Sequence, residues 1–408
     1  ALTKRRREHG IRYYVPNAMQ LRAHQSVANT VLFCGGNRPL AYGTEVRMAD
    51  GSVKAIEALQ VGDRVLSAED GRSVPSTVLA IPFDAPSVTM TAITKTGLTV
   101  TASPDHCFPF QKRQRGCYRL FALSEIRAFK WEGKRFLGSG VCDYDTAPSP
   151  QFSGSLLGLH LGDGSYGCFT RNYQSPNFTN TKPAVLESYC QAVVADYPNL
   201  KTHWHPSDNT RVYVTGTHKG TNTFANDLRD LGLAVKAPAK FIPSAFKVAS
   251  IQTRKDILRG LILTDGCTEA RRVSIYSTSK QLLLDAQEII ISLGGSSRLY
   301  MERKDQPHHS QPYVLRFSSQ LIIRWGIDLL HKQGVIKESV RTPHQTHLIV
   351  ENVVDSGIQP CRCITVSHPS HTFVLANGIV TSNSGKSTVG AVETAWHLTR
   401  EYPDWYPQ

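Results

Sequence analysis

The sequence predicts an α+β fold in which β-rich outer segments enclose a centre built as two related helical units. Three observations lead there. Short alternating stretches broken by Asp-Gly and Asn-Gly dipeptides run through residues 39–110 and 347–383. Apolar helix-like segments recur in the middle at a fixed offset. A glycine-rich phosphate-loop motif is divided between the two ends of the chain.

The divided motif sets the boundaries. Gly35-Gly36-Asn37-Arg38 supplies the first half of G-x-x-x-x-G-K-[ST], and Ser384-Gly385-Lys386-Ser387 supplies the second. Joining Arg38 to Ser384 restores GGNRSGKST, with apolar Val31-Leu32-Phe33 ahead and a helical pattern behind. That strand–loop–helix context is what backbone N–H groups need to cradle phosphates, with the lysine reaching them. Gly35, Gly385, Lys386 and Ser387 are therefore candidate nucleotide-binding residues of the rejoined chain, which would use ATP and Mg²⁺. Residues 39–383 read as an insertion.

Composition narrows the class. Of 408 residues, 40% are hydrophobic and 19% charged, as in folded globular material. No apolar run reaches the ~18–20 residues that span a bilayer, and no apolar signal core follows the basic N-terminus. No membrane partner is expected. The net charge of +13 fits nucleic-acid contact. Nine scattered cysteines imply free thiols in a reducing cytosol. Cys361-x-Cys363 lacks the paired spacing of a zinc ribbon. Flanks of 38 and 25 residues are too short to work alone, so the chain is expected to be a fragment of a longer precursor.

The centre carries its own chemistry. "SLLGLHLGDG" (155–164) and "ILRGLILTDG" (257–266) align at an offset of 102, each followed by a β-like segment and a helix. Gly158 and Gly162, then Gly260 and Thr264, stand four apart, so each pair lies on one helical face and lets two backbones approach. Asp163 and Asp265 follow at the helix ends. One Asp-Gly merely ends a helix. Two at matching positions in a basic protein invite Mg²⁺ held between carboxylate and phosphate oxygens.

"LLGLHLGDG" and "LRGLILTDG" resemble the paired signature helices of LAGLIDADG homing endonucleases, and "KFIP" (Lys240 to Pro243) resembles a segment preceding the second helix. The resemblance covers roughly residues 150–342. It implies a monomeric unit of two αββαββα halves with a saddle-shaped sheet on a double-stranded DNA homing site. Asp163 and Asp265 would bind Mg²⁺ and cut both strands. His160 and Thr264 depart from the usual pattern. An inactive DNA-binding insert is the alternative.

Residues 39–143 and 345–383 resemble the two parts of an intein splicing domain, a Hint horseshoe of strands. "AYGTEVRMADGSVKAIEALQVGDRV" resembles its opening block, "SPDH" (Ser103 to His106) its T-x-x-H, and "RCITVSHPSHTFVLANGIVTSN" its closing blocks. Most inteins begin with a nucleophile; here the first residue is Pro39. Cys363, where most inteins have Asp, and Thr381, two before Asn383, resemble class 3 inteins, which use the internal Cys. Their Trp position holds Phe108.

The expected scheme needs no cofactor. Cys363 attacks the Arg38 carbonyl. His106 protonates the departing Pro39 nitrogen, and Ser103 or backbone N–H groups hold the oxyanion. Ser384 takes the acyl group, Asn383 cyclises with help from His371, and Arg38 is joined to Ser384. Cys361 is the alternative nucleophile, and Cys34 could form a disulfide with Cys363. Residues 1–38 and 384–408 rejoin as "GGNRSGKS" with "YPDW" downstream, resembling the ATPase of a phage terminase large subunit. That implies DNA packaging in a bacterial cytoplasm. An inert insertion in a P-loop ATPase remains a further alternative.

Overall fold

The computed structural model describes residues 38–111, 118–129, 134–145, 148–166, 175–205, 208–216, 222–302, 311–337 and 347–382. Two apolar cores dominate. One unites both outer segments, with Leu40, Val65, Phe108 and Phe136 packed among Leu348, Ile364, Phe373 and Ile379. The other belongs to the middle, with Leu156, Leu159 and Tyr189 against Leu258, Leu261 and Ile289.

The outer unit is built on two long strands, Arg72–Thr94 and His347–Val366, paired antiparallel from Thr94↔Val350 to Val78↔Val366. Runs such as Val88-Thr89 and Ile349-Val350 carry the β-branched residues that favour extended backbone. The register slips at several points, including Cys363/Thr365, and such bulges bend and twist a strand. The Asp70-Gly71 turn has φ of 46° and 80°, the doubly positive geometry of a tight hairpin, and joins Arg64–Glu69 to the first long strand. Gly378, at φ 81°, turns the C-terminal hairpin of Thr372–Val374 with Val380–Ser382.

The strand Leu40–Ala41 lies between Thr99–Ala102 and the second long strand, with Leu40 paired to both Ala102 and Arg362. This sandwich brings the start of the outer unit beside its end, although the middle of the chain separates them in sequence.

The middle unit repeats itself. Helix Gly154–Asp163 and helix Ile251–Asp265 each lead into two strands, a helix, two strands and a helix, and each half forms a four-stranded sheet of the same order. Ser153 and Ser250 cap the two helices by accepting from the backbone N–H of Leu156 and Thr253. The helices cross at their glycines. A Cβ on Gly158 would lie 2.3 Å from Ile257 O, and one on Gly260 would lie 2.4 Å from Gly158 C. Both contacts are far inside van der Waals separation, so the crossing needs residues without side chains. No helix among the described residues is long and apolar enough to cross a membrane.

Candidate functional site

The turn Ser103–His106 leaves the strand beside Leu40–Ala41 and buries His106, which is 2% exposed. Its Nδ1 hydrogen-bonds the Arg38 carbonyl. Its Nε2 is 2.5 Å from Thr381 Oγ1. A carbonyl can only accept, so Nδ1 carries the proton and Nε2 accepts from the Thr381 hydroxyl. Phe108 packs beside the imidazole, with ring centroids 4.8 Å apart. Burial pulls the His106 pKa down to about 4, so the ring is neutral at pH 7.

Arg38 itself is strained. Its φ is 50°, in the left-handed region that costs an ordinary residue about 1–2 kcal/mol. It also precedes a proline, whose ring restricts it further. Backbone strain therefore sits on the residue whose carbonyl His106 meets.

Cys363 lies on the strand that pairs with Leu40–Ala41, just beyond the paired residues. Leu40 pairs with Arg362 and Ala41 with Cys361, so one step back along the register sets Pro39 opposite Cys363. Directly opposed antiparallel residues lie roughly 4.5–5.5 Å apart at Cα. Cys363 is 3% exposed, in a strand that bulges immediately after it. Cys361 is opposite Ala41, two residues beyond the bond, and its Sγ is 3.3 Å from Gln359 O. Burial pushes that thiol up.

The Ser103 hydroxyl donates to Asp105 Oδ1 at 2.6 Å, and its N–H donates to Pro39 O at 3.0 Å. Both donors are thus committed elsewhere, and the Arg38 oxygen is met by His106. In this arrangement the side chain placed to donate to the Arg38 oxygen is His106.

The C-terminal hairpin pairs Thr372 with Ser382 and Phe373 with Thr381. Ser382 Oγ donates to Cys107 O at 2.7 Å. His371 precedes Thr372, at φ 51°, with burial lowering its pKa. Its Nδ1 is buried with no hydrogen-bond partner among the described residues. Asn383, Ser384, Gly35, Gly385, Lys386 and Ser387 lie outside the described residues, as does Cys34.

A second constellation sits where the two inner helices end. Asp163 accepts from Asn180 Nδ2 at 2.5 Å. Burial and then the Asp163 charge push Asp265 up to about 6, so the two carboxylates share one electrostatic environment. Burial raises Asp163 as well. His160 is 3% exposed and packs on Tyr189 and Phe224, a core histidine whose pKa burial lowers to about 3.

Sequence reasoning missed two lysines at this site. Lys240 Nζ donates to the carbonyls of Leu161 at 2.8 Å, Gly162 at 3.0 Å and Gly164 at 2.8 Å. Lys332 Nζ donates to Ile262 at 2.7 Å, Leu263 at 2.9 Å and Gly266 at 2.7 Å. Each ammonium group therefore caps one inner helix where unpaired carbonyls and the negative dipole end converge. Burial lowers Lys240 to about 8 even against the attraction of both aspartates. Lys240 falls in the quoted "KFIP" segment, but nothing local in sequence marks Lys332 as its counterpart.

The donor chemistry here fits a divalent cation shared with substrate. No group of three or more His, Cys, Asp and Glu among the described residues could enclose an ion. Two adjacent carboxylates, each disfavoured as an anion by burial, suit a cation that takes its remaining oxygens from water and phosphate.

Residues 253–325 match the LAGLIDADG-like domain family. A replicative DNA helicase DnaB of Mycobacterium intracellulare is 27% identical over 159 residues, covering 37% of this chain and 26% of that protein. The chain thus spans about a quarter of that relative's length. The homing endonuclease I-DmoI in complex with DNA and Mn is similar to 44% of this chain over 96% of its own, at 17% identity and a TM-score of 0.32. A DnaB intein from Synechocystis sp. PCC 6803 is similar over 85% of this chain and 99% of its own, at 7% identity and a TM-score of 0.29.

Proposed function

We propose that residues 39–383 form a self-splicing intein that excises itself and joins Arg38 to Ser384. The observation that carries this reading is the placement of one neutral histidine between the Arg38 carbonyl and Thr381, with Cys363 across the sheet. Cys363 sulfur adds to the Arg38 carbonyl carbon, and the His106 Nδ1–H stabilises the oxyanion. Collapse breaks the Arg38–Pro39 bond, and the thiol proton ends on the Pro39 nitrogen by way of the imidazole. Relaxation of the Arg38 backbone once Pro39 has left would lower the barrier of this step. Ser384 then accepts the acyl group from Cys363. Asn383 then cyclises with help from His371, whose Nδ1 is buried without a hydrogen-bond partner among the described residues.

The middle unit, residues 150–342, is the double-strand DNA endonuclease of the same element, acting as a monomer. Its net-basic chain supports a phosphate-backbone partner; on one sheet exposed Arg298 and half-buried Arg316, the latter paired with Glu302, both approach the Tyr300 ring. Asp163 and Asp265 would hold Mg²⁺, which supplies Lewis-acid stabilisation of phosphate charge when bound. Lys240 and Lys332 keep both carboxylates in place at the helix ends. The rejoined flanks are a P-loop segment of a phage terminase ATPase, on the restored GGNRSGKST and the downstream YPDW.

Incubating purified precursor and following intact masses tests the first reading. Excised residues 39–383 and a ligated flank product are expected, and a precursor that stays intact contradicts it. Adding Mg²⁺ and an insertion-free host gene tests the second; an uncut gene leaves a DNA-binding insert without nuclease activity.

A further inference from the structure

The middle unit is fastened to the hairpin that carries Thr381. Arg47 is 4% exposed, and its guanidinium donates to Gly51 O at 2.9 Å, Glu288 Oε1 at 2.6 Å and Ala376 O at 3.2 Å. Glu288 belongs to the middle unit's helix Lys280–Ser292, whereas Ala376 lies in the turn of the C-terminal hairpin. Glu288 also accepts from Lys247 at 2.8 Å, so the carboxylate is held between two cations. One turn along the helix, Ile291 packs against the same hairpin turn. A Cβ on Gly378 would lie 2.7 Å from its Cγ2. Ser139 joins the two surfaces, donating from its N–H to Gly378 O at 2.7 Å and from its hydroxyl to Ile291 O at 3.2 Å.

The hairpin needs such support. Its strands are three residues each, and an isolated two-stranded hairpin of that size is marginal at best in water. Its register decides whether Thr381 meets His106, because a one-residue slip turns every side chain to the other face.

We propose that Glu288 is a positioning residue for splicing: through Arg47 it fixes the Ala376 turn, and so the hairpin register that delivers Thr381 to His106. The inference rests on the splicing reading above. It makes the middle unit a structural part of the splicing apparatus, not a passenger within it.

The test uses full-length precursor carrying E288A, E288Q or R47K. Thiol-induced cleavage at Arg38–Pro39 reads the first step, and release of residues 384–408 reads the last. E288A is expected to slow the first step about tenfold, as loss of Thr381 from His106 does, and to slow the last step as well. E288Q still accepts the Arg47 N–H and should recover most of that loss. If E288A does not fold, R47K decides: lysine keeps the charge but cannot reach three acceptors, and it should slow both steps. Slowing of neither step, or a loss that E288Q does not recover, in a precursor whose parent splices overturns the proposal. A parent that does not splice overturns the splicing reading on which it stands.

Discussion

His106 and Thr381 are joined by a buried hydrogen bond of 2.5 Å, and the opposite nitrogen of the same ring holds the Arg38 carbonyl. One imidazole therefore spans both ends of the proposed insertion. The hydroxyl of Thr381 fixes the tautomer that the carbonyl requires.

Replacing His106 with alanine removes that donor. Loss of one preorganised oxyanion donor typically costs about 10²–10³ in rate, and a drop of that order is expected in thiol-induced cleavage at Arg38–Pro39. Thr381→Ala should cost less, about tenfold, and Thr381→Ser should restore the rate, because the tautomer is then fixed again.

The two buried histidines set an acid limit on stability. Folded pKa values near 4 for His106 and 3 for His160 lie below the ordinary 6.5. Their contribution is fully present above pH 6.5 and is lost as pH falls from there through about 4, since only the unfolded chain takes up the protons. Each should remove about 2 kcal/mol between pH 7 and pH 4.5. Urea unfolding across that range checks this. His160→Gln should flatten the slope by one proton, and an unchanged slope would contradict the burial argument.

Strain at Arg38 is tested by Arg38→Gly. Glycine adopts a φ of 50° freely. Removing about 1–2 kcal/mol of ground-state strain should slow the first step roughly tenfold while leaving C-terminal release unchanged. A faster first step would show that the left-handed backbone does not drive cleavage.

At the acidic site, activity and stability oppose each other. The Asp265 pKa is raised to about 6, so its contribution to stability is present below the unfolded value of 3.8 and is lost as pH rises through 6. Asp265→Asn should therefore abolish DNA cleavage yet raise stability by about 1–2 kcal/mol at pH 8. DNA affinity in a gel-shift assay should change only slightly. Mg²⁺ should raise the parent's Tm and leave that of the variant nearly unmoved.

Much of this was legible in sequence for definable reasons. The Asp-Gly and Asn-Gly turns carry their own backbone chemistry, and the 102-residue offset exposes the paired helices directly. The glycines four apart foretell the close crossing seen at Gly158 and Gly260. The orientation of the His106 ring was less accessible, because it depends on partners 68 and 275 residues away, Arg38 and Thr381. Lys332 caps a helix that ends 67 residues before it, and Arg47 meets Glu288 across 241 residues. No local pattern encodes such contacts; the fold alone brings them together.

The central claim is that Cys363, and not a residue at the start of the insertion, attacks the Arg38 carbonyl. Intact-mass analysis of the Cys363→Ala precursor over time tests it most directly. The account predicts that no branched or ligated species forms and that Arg38–Pro39 stays uncleaved under added thiol, while the Cys361→Ala precursor still splices. Appearance of the Arg38–Ser384 product from Cys363→Ala would contradict it.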